Sequence, residues 1–147
     1  MTSLLRTGLR ATVRLTDRRP PAGFDPYASA WSVTLSYRGR RLTTPFFTGS
    51  AYKGPPDPCK VLETLLGEAG VVENTVSWED WAAELGYDLD DRRRRGAMSQ
   101  PGAQRAYAQV VRQTEKLRNL LGDAYDTLVF PKEIEEVQAW CRGAREL

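Results

Sequence analysis

The sequence predicts an α+β protein, a small antiparallel sheet made of a strand plus a hairpin, followed by about four helices packed on one face. Three observations carry that expectation. The N-terminal third alternates apolar and polar residues with a period of two, the mark of half-buried strands. After Thr48 this pattern stops, and apolar residues recur at the three- and four-residue spacing of amphipathic helices. Capping residues, glycines and prolines then divide the helical part where helices start and stop. Strands first and helices afterwards give a sheet covered on one side rather than a parallel sheet wound with helices. A length of 147 residues suits a single domain over 1–147.

Leu9, Ala11, Val13 and Leu15 alternate with Arg10, Thr12, Arg14 and Thr16, which reads as the first strand. The four-residue recurrence of Arg6, Arg10, Arg14 and Arg18 is the competing helical reading of the same stretch. Pro20, Pro21, Gly23 and Pro26 make a loop. Trp31, Val33, Leu35 and Tyr37 then alternate with Ser32, Thr34 and Ser36, a tight turn forms around Arg38, Gly39 and Arg40, and residues 42–48 return. Pro45 has no N–H to give a sheet ladder, so the returning strand belongs at an edge or a bulge.

Asp57 and Pro58 form an N-cap followed by proline at the first helical position, opening a helix with Val61, Leu62, Leu65 and Leu66 inside and an end near Gly67 or Gly70. Ser77 caps a short helix carrying Trp78, Trp81, Ala82 and Leu85 and stopping at Gly86, the two tryptophans being read as core. Residues 88–102 are polar and read as a loop. A long helix over 103–121 turns Tyr107, Val110, Val111, Thr114, Leu117, Leu120 and Leu121 inward and is capped by Gly122. Residues 133–142, with Ile134, Val137, Trp140 and Cys141, suit a last helix.

In such a fold Trp31, Val33, Leu35 and Tyr37 lie beneath the helices. The opposite sheet face presents Arg10, Thr12, Arg14, Ser32, Thr34, Ser36 and Arg41.

The chain contains no histidine, which removes Ser-His and Cys-His nucleophile activation and imidazole metal ligation together. Asp88, Asp90 and Asp91 begin like a calcium loop, but Arg93 stands where that loop needs glycine and Ser99 where it needs glutamate. No phosphate-binding GxxxxGK[ST] loop, dinucleotide GxGxxG turn or GxSxG elbow is present. The expectation is therefore a non-enzymatic protein with no catalytic residue, no metal ligands and no cofactor, the alternative being an enzyme that relies on carboxylates, lysine or tyrosine. Cys59 and Cys141 have no CxxC spacing and read as reduced thiols. No apolar run approaches the roughly 18 residues of a membrane span, and no secretory signal opens the chain, so a cytoplasmic location is expected.

What remains is surface. Lys53, Lys60, Lys116 and Lys132 are the only lysines among 21 basic residues, leaving 17 arginines, whose planar forks match carboxylates and phosphates, while a GC-rich genome favouring arginine codons gives the same bias. Two patches are candidates for partner binding: the hairpin tip with Arg38, Arg40 and Arg41 beside the basic sheet face, and the run Arg92, Arg93, Arg94 and Arg95. The plain alternative for the run is a solvated stretch neutralised by Glu84, Asp88, Asp90 and Asp91 at a net charge of only +2.

The succession Trp31-Ser-Val-Thr-Leu35, Arg38-Gly-Arg40, Phe47-Thr-Gly-Ser-Ala51, Val61-Leu62 with Leu65-Leu66, Ser77-Trp-Glu-Asp-Trp81 and Glu84-Leu-Gly-Tyr-Asp88 resembles a group of small phage and prophage proteins. The likeness spans roughly residues 31–121. In that group Gly-Tyr-Asp is followed by an Asp-Ser-Arg triplet and by a helix ending in Lys-Leu-Arg. Here Lys116-Leu117-Arg118 is present, but the triplet region reads Leu89-Asp90-Asp91-Arg92 with added arginines, which leaves the role of that insertion open. The resemblance implies a mobile-element accessory protein acting in the bacterial host cell. Such proteins include anti-CRISPR and antirestriction inhibitors, whose partners are bacterial defence proteins or nucleoprotein complexes. Direct nucleic-acid binding in phage replication or recombination is the alternative expectation.

Overall fold

A computed structural model of the chain describes residues 2–4, 8–19, 25–86 and 100–130. Four antiparallel strands come first, in the order β1 (Thr2–Leu4), β2 (Arg10–Thr16), β3 (Ser29–Tyr37) and β4 (Arg40–Thr48), each paired with the next. Helices α1 (Pro58–Glu73), α2 (Trp78–Glu84), α3 (Gln100–Leu121) and α4 (Ala124–Val129) follow. The expected α+β order of sheet and then helices is what the chain adopts.

The sheet register follows from alternation. Val13, Val33 and Thr44 stand opposite one another, as do Ala11, Leu35 and Leu42, and all six are buried. A slip by one residue would turn that whole set to the other face, so the buried side holds the pairing in place. The turn between β3 and β4 has two central residues, Arg38 with φ 49° and Gly39 with φ 79°. Positive φ at both positions is the twist that a two-residue hairpin needs, and glycine supplies it without a Cβ clash. Pro45 lies in edge strand β4, as expected of a residue without an N–H.

Asp57 caps α1, its carboxylate accepting from the Cys59 N–H at 3.0 Å, with Pro58 opening the helix. Ser77 caps α2 by accepting from the Asp80 N–H at 3.2 Å, and Asp80 in return accepts from the Val76 N–H at 3.2 Å. α3 ends at Gly122, whose φ of 56° and N–H bond to the Arg118 carbonyl at 2.9 Å make a left-handed cap.

One cluster forms the core. Leu9, just before β2, and Val33 and Leu35 of β3 meet Val61, Leu62 and Ala69 of α1, Leu117, Leu120 and Leu121 of α3, and Tyr125 and Leu128 of α4. α2 lies beside this cluster and is held through Trp81, which is buried and packs on Tyr107 at 5.7 Å between ring centroids.

The structure corrects the expected elements at several points. β1 adds a short strand that three residues are too few to announce by alternation. α1 runs past Gly67 and Gly70 to Glu73, because Leu65, Leu66 and Ala69 bury its face and tertiary packing outweighs the glycine penalty. α3 starts at Gln100 rather than at 103, since proline in a first turn forfeits no helical hydrogen bond. α4 forms where a connection was expected, with Tyr125, Leu128 and Val129 buried on one side. The expected helix over 133–142 lies outside the described residues.

Burial also departs in places. Leu15 is 61% exposed and Trp31 half-buried, because the row of Leu15, Trp31 and Phe46 sits at the margin of the helical layer. Trp78 is half-buried, so only Trp81 of the expected tryptophan pair is core. Tyr107, Val110 and Val111 are likewise only half-buried on α3.

Candidate binding surface

The strand register places Arg10, Ser36 and Arg41 in one row across the outer sheet face. Thr12, Thr34 and Thr43 make the next row, and Arg14, Ser32 and Pro45 the third. The three arginines are exposed, and the serines and Thr34 of central β3 are half-buried between their neighbours. Strands β2, β3 and β4 contain no aspartate or glutamate at all. Among the described residues Arg10, Arg14 and Arg41 have no carboxylate partner, whereas Arg118 is paired with Glu73. Thr34 and Thr43 share a hydrogen bond of 3.0 Å between their hydroxyls, tying β3 to β4 on the open side. The result is a cationic face studded with hydroxyls, with Pro45 as the one apolar residue that β2, β3 and β4 place in these three rows, while Leu4 of β1 stands opposite Arg10.

The hairpin arginines, expected as one patch, separate. Arg41 joins Arg10 on the outer face. Arg38 stands at the turn with its guanidinium 5.2 Å from the Tyr37 ring centroid. Arg40 lies 6.0 Å from the same centroid and folds towards the helical side, where its Nη1 comes within 2.8 Å of the position a Cβ would take on Gly122. Alternation is the reason: adjacent residues of a strand point to opposite faces, so Arg40 and Arg41 cannot share one. Arg92, Arg93, Arg94 and Arg95 lie outside the described residues.

On the helical side, polar groups lock elements together. Tyr125 donates its hydroxyl hydrogen to Glu73 Oε1 at 2.7 Å, and Arg118 Nη2 donates to that same oxygen while its guanidinium stands 5.1 Å from the Tyr125 ring centroid. This joins the end of α1 to α3 and α4. Burial, reinforced by the bond to Glu73, raises the Tyr125 hydroxyl well above the ordinary tyrosine range. Gln113 of α3 donates to Glu68 of α1 at 2.6 Å and accepts, at a long 3.5 Å, from Thr44 of β4. Desolvation raises the Glu68 carboxyl although the residue as a whole stays exposed, and the Gln113 bond pulls the other way.

Concavities lie beside one of these locks and near the start of α1. A groove of about 560 Å³ between α1, α2 and α3 is walled by Val71, Trp81, Leu85 and Val110 around Glu68 and Gln113. A second, of about 410 Å³, lies between Phe46, Tyr52, Pro56 and Lys60. Glu68 is the one ionisable side chain of the larger groove among the described residues, with no nucleophile-and-base pair beside it. No group of three or more metal-ligating side chains occurs among the described residues. No described helix is long and apolar enough to cross a membrane.

Comparison with known proteins returns no matching family, no matching curated protein and no matching solved structure.

Proposed function

We propose that this protein is a non-enzymatic accessory protein of a phage or other mobile element. It inhibits a host defence system in the anti-CRISPR manner, by laying its outer sheet face against a defence protein or nucleoprotein complex in the host cytoplasm. The observation that carries the reading is the outer face itself: Arg10, Arg14 and Arg41, without a carboxylate partner among the described residues, on three strands free of acids. A surface of one sign steers and holds a partner of the other sign, and unpaired arginines are the side chains most able to form forked bonds with carboxylates or phosphates. The setting in the host cell rests on the resemblance of residues 31–121 to phage and prophage proteins.

The test is capture of the tagged full chain from defended bacteria, alongside phage plating. The expected outcome is recovery of a defence component and a rise in plaque formation, both lost when Arg10, Arg14 and Arg41 are changed together to alanine. Recovery of no defence component, with plaque formation unchanged, overturns the proposal. A second reading, a nucleic-acid-binding protein of phage replication or recombination, draws on the same acid-free face. It stands in place of the first if loss of the face slows phage DNA synthesis equally in hosts without the defence system.

A further inference from the structure

We infer that the occupant of the outer sheet face is the phosphate backbone of a nucleic-acid duplex, gripped without regard to base sequence. The inference rests on the reading that this face is the docking surface, and it names what docks there. Along β2, Arg10 and Arg14 are four residues apart, about 13 Å on an extended strand. Arg41 lies two strands away from Arg10, about 10 Å across the sheet. Three guanidinium groups without a carboxylate partner among the described residues thus form an open triangle, with Thr12, Ser32, Thr34, Ser36 and Thr43 on the ground between them. Arginine with serine and threonine hydroxyls is the donor set that holds phosphate oxygens and sets the register of a protein on a duplex.

Two other occupants fit less well. A single strand is held by stacking its bases on aromatic rings, and the three rows that hold the arginines contain no aromatic residue. Phe47, in the row beyond them, is half-buried. A protein partner is anchored by large side chains such as Trp and Tyr set in desolvated pockets, and this face presents neither in those rows. Cations and hydroxyls without rings leave backbone contact as the mode that the chemistry serves.

Counterion release makes the inference quantitative. Each neutralised phosphate of duplex DNA contributes about 0.9 to the slope of log affinity against log salt, so three arginines contribute about 2.7. The measurement is binding of the full chain to a 20-base-pair DNA duplex of arbitrary sequence across salt, by fluorescence anisotropy. Changing Arg10, Arg14 and Arg41 together to alanine is expected to lower the slope by about 2.7, erasing about 40-fold of the affinity loss between 50 and 200 mM salt. The corresponding change of all three to lysine keeps the slope. Removing the same charge from the exposed α3 positions Arg105, Arg112 and Lys116 also leaves it in place. Circular dichroism and an unchanged melting midpoint confirm that the alanine variant is folded.

An unaltered duplex slope in the folded alanine variant overturns the inference. So does a 20-nucleotide single strand that binds more tightly than the duplex through the same three arginines, or polyglutamate that does so. If the alanine variant loses its captured defence partner while the duplex slope is unaltered, the docking face stands and its partner is an acidic protein surface. If the duplex slope falls as expected while capture and plating are unaffected, nucleic-acid binding stands and defence inhibition fails.

Discussion

The two faces of the sheet are made by the same three long strands, one residue to one side and the next to the other, yet they obey different rules. On the inner face Leu35 and Leu42 are buried with Ala11, and Val33 with Val13, against the leucines of α1 and α3. On the outer face the neighbours of those residues are Arg10, Ser36 and Arg41, then Thr12, Thr34 and Thr43. The inner face is held by volume, because a buried side chain has packed atoms on every side. The outer face is constrained by charge and by cross-strand hydroxyl contact, and its cations are left over once the fold is satisfied. Stability is concentrated on one side of a layer a few ångströms thick and exposed cations on the other.

The sharpest way to break this contrast is to cut into the inner face. Leu35→Ala removes a fully buried side chain from the central strand and is expected to destabilise the fold by about 2–5 kcal/mol, read as a lower denaturation midpoint in urea. Loss of less than 1 kcal/mol would mean that the inner face is not the load on which the sheet rests.

A smaller effect belongs to the polar lock on the helical side. Tyr125→Phe deletes the hydroxyl that donates to Glu73, and the expected cost at neutral pH is about 1–2 kcal/mol. The pH dependence has a definite sign. Burial first, and then the bond to Glu73, hold the folded Tyr125 pKa above the unfolded value of about 10. The contribution of the hydroxyl is therefore fully present below pH 10 and lost as pH rises above it. Denaturation at pH 7 and at pH 11 should show the gap between wild type and Tyr125→Phe narrowing at the higher pH, and a constant gap would contradict the shift.

The smallest change is expected at the hairpin tip, where the two faces meet. Arg38 holds a φ of 49°, a left-handed conformation that asparagine tolerates better than arginine. Arg38→Asn should raise stability by about 0.5–1 kcal/mol, seen as a higher melting temperature, and leave duplex binding by the outer face unaltered. A drop in duplex affinity would enlarge the binding surface to include the turn.

Much of this architecture was legible residue by residue. The alternation of Val33 and Leu35 with Ser32, Thr34 and Ser36 assigned the two faces, Pro45 placed β4 at an edge, and Asp57, Ser77 and Gly122 marked helix ends, because each of these signals is read within a few residues of chain. The helix α4 was not legible, since six residues are too few for periodicity to stand out and its formation depends on Tyr125, Leu128 and Val129 finding the core. Nor was the end of α1, because the cost of Gly67 and Gly70 is offset only by burial of the residues around them. For the candidate site, the outer-face arginines Arg10, Arg14 and Arg41 were readable from strand parity. Grouping Arg41 with Arg38 and Arg40 followed nearness in sequence, and strand geometry sends Arg40 the other way.

The sequence by itself determined which residues alternate, where helices are capped and that histidine chemistry is absent, since these depend on the period of the backbone and on the atoms each residue carries. Tertiary structure alone decided that Arg118 and Tyr125 both donate to one oxygen of Glu73, far from them along the chain, that Arg40 closes over Gly122, and that Arg10, Arg14 and Arg41 have no carboxylate partner among the described residues. The reason is range: propensity and capping act over a few residues, whereas the partner of a side chain is whatever the packed fold brings within a few ångströms of it.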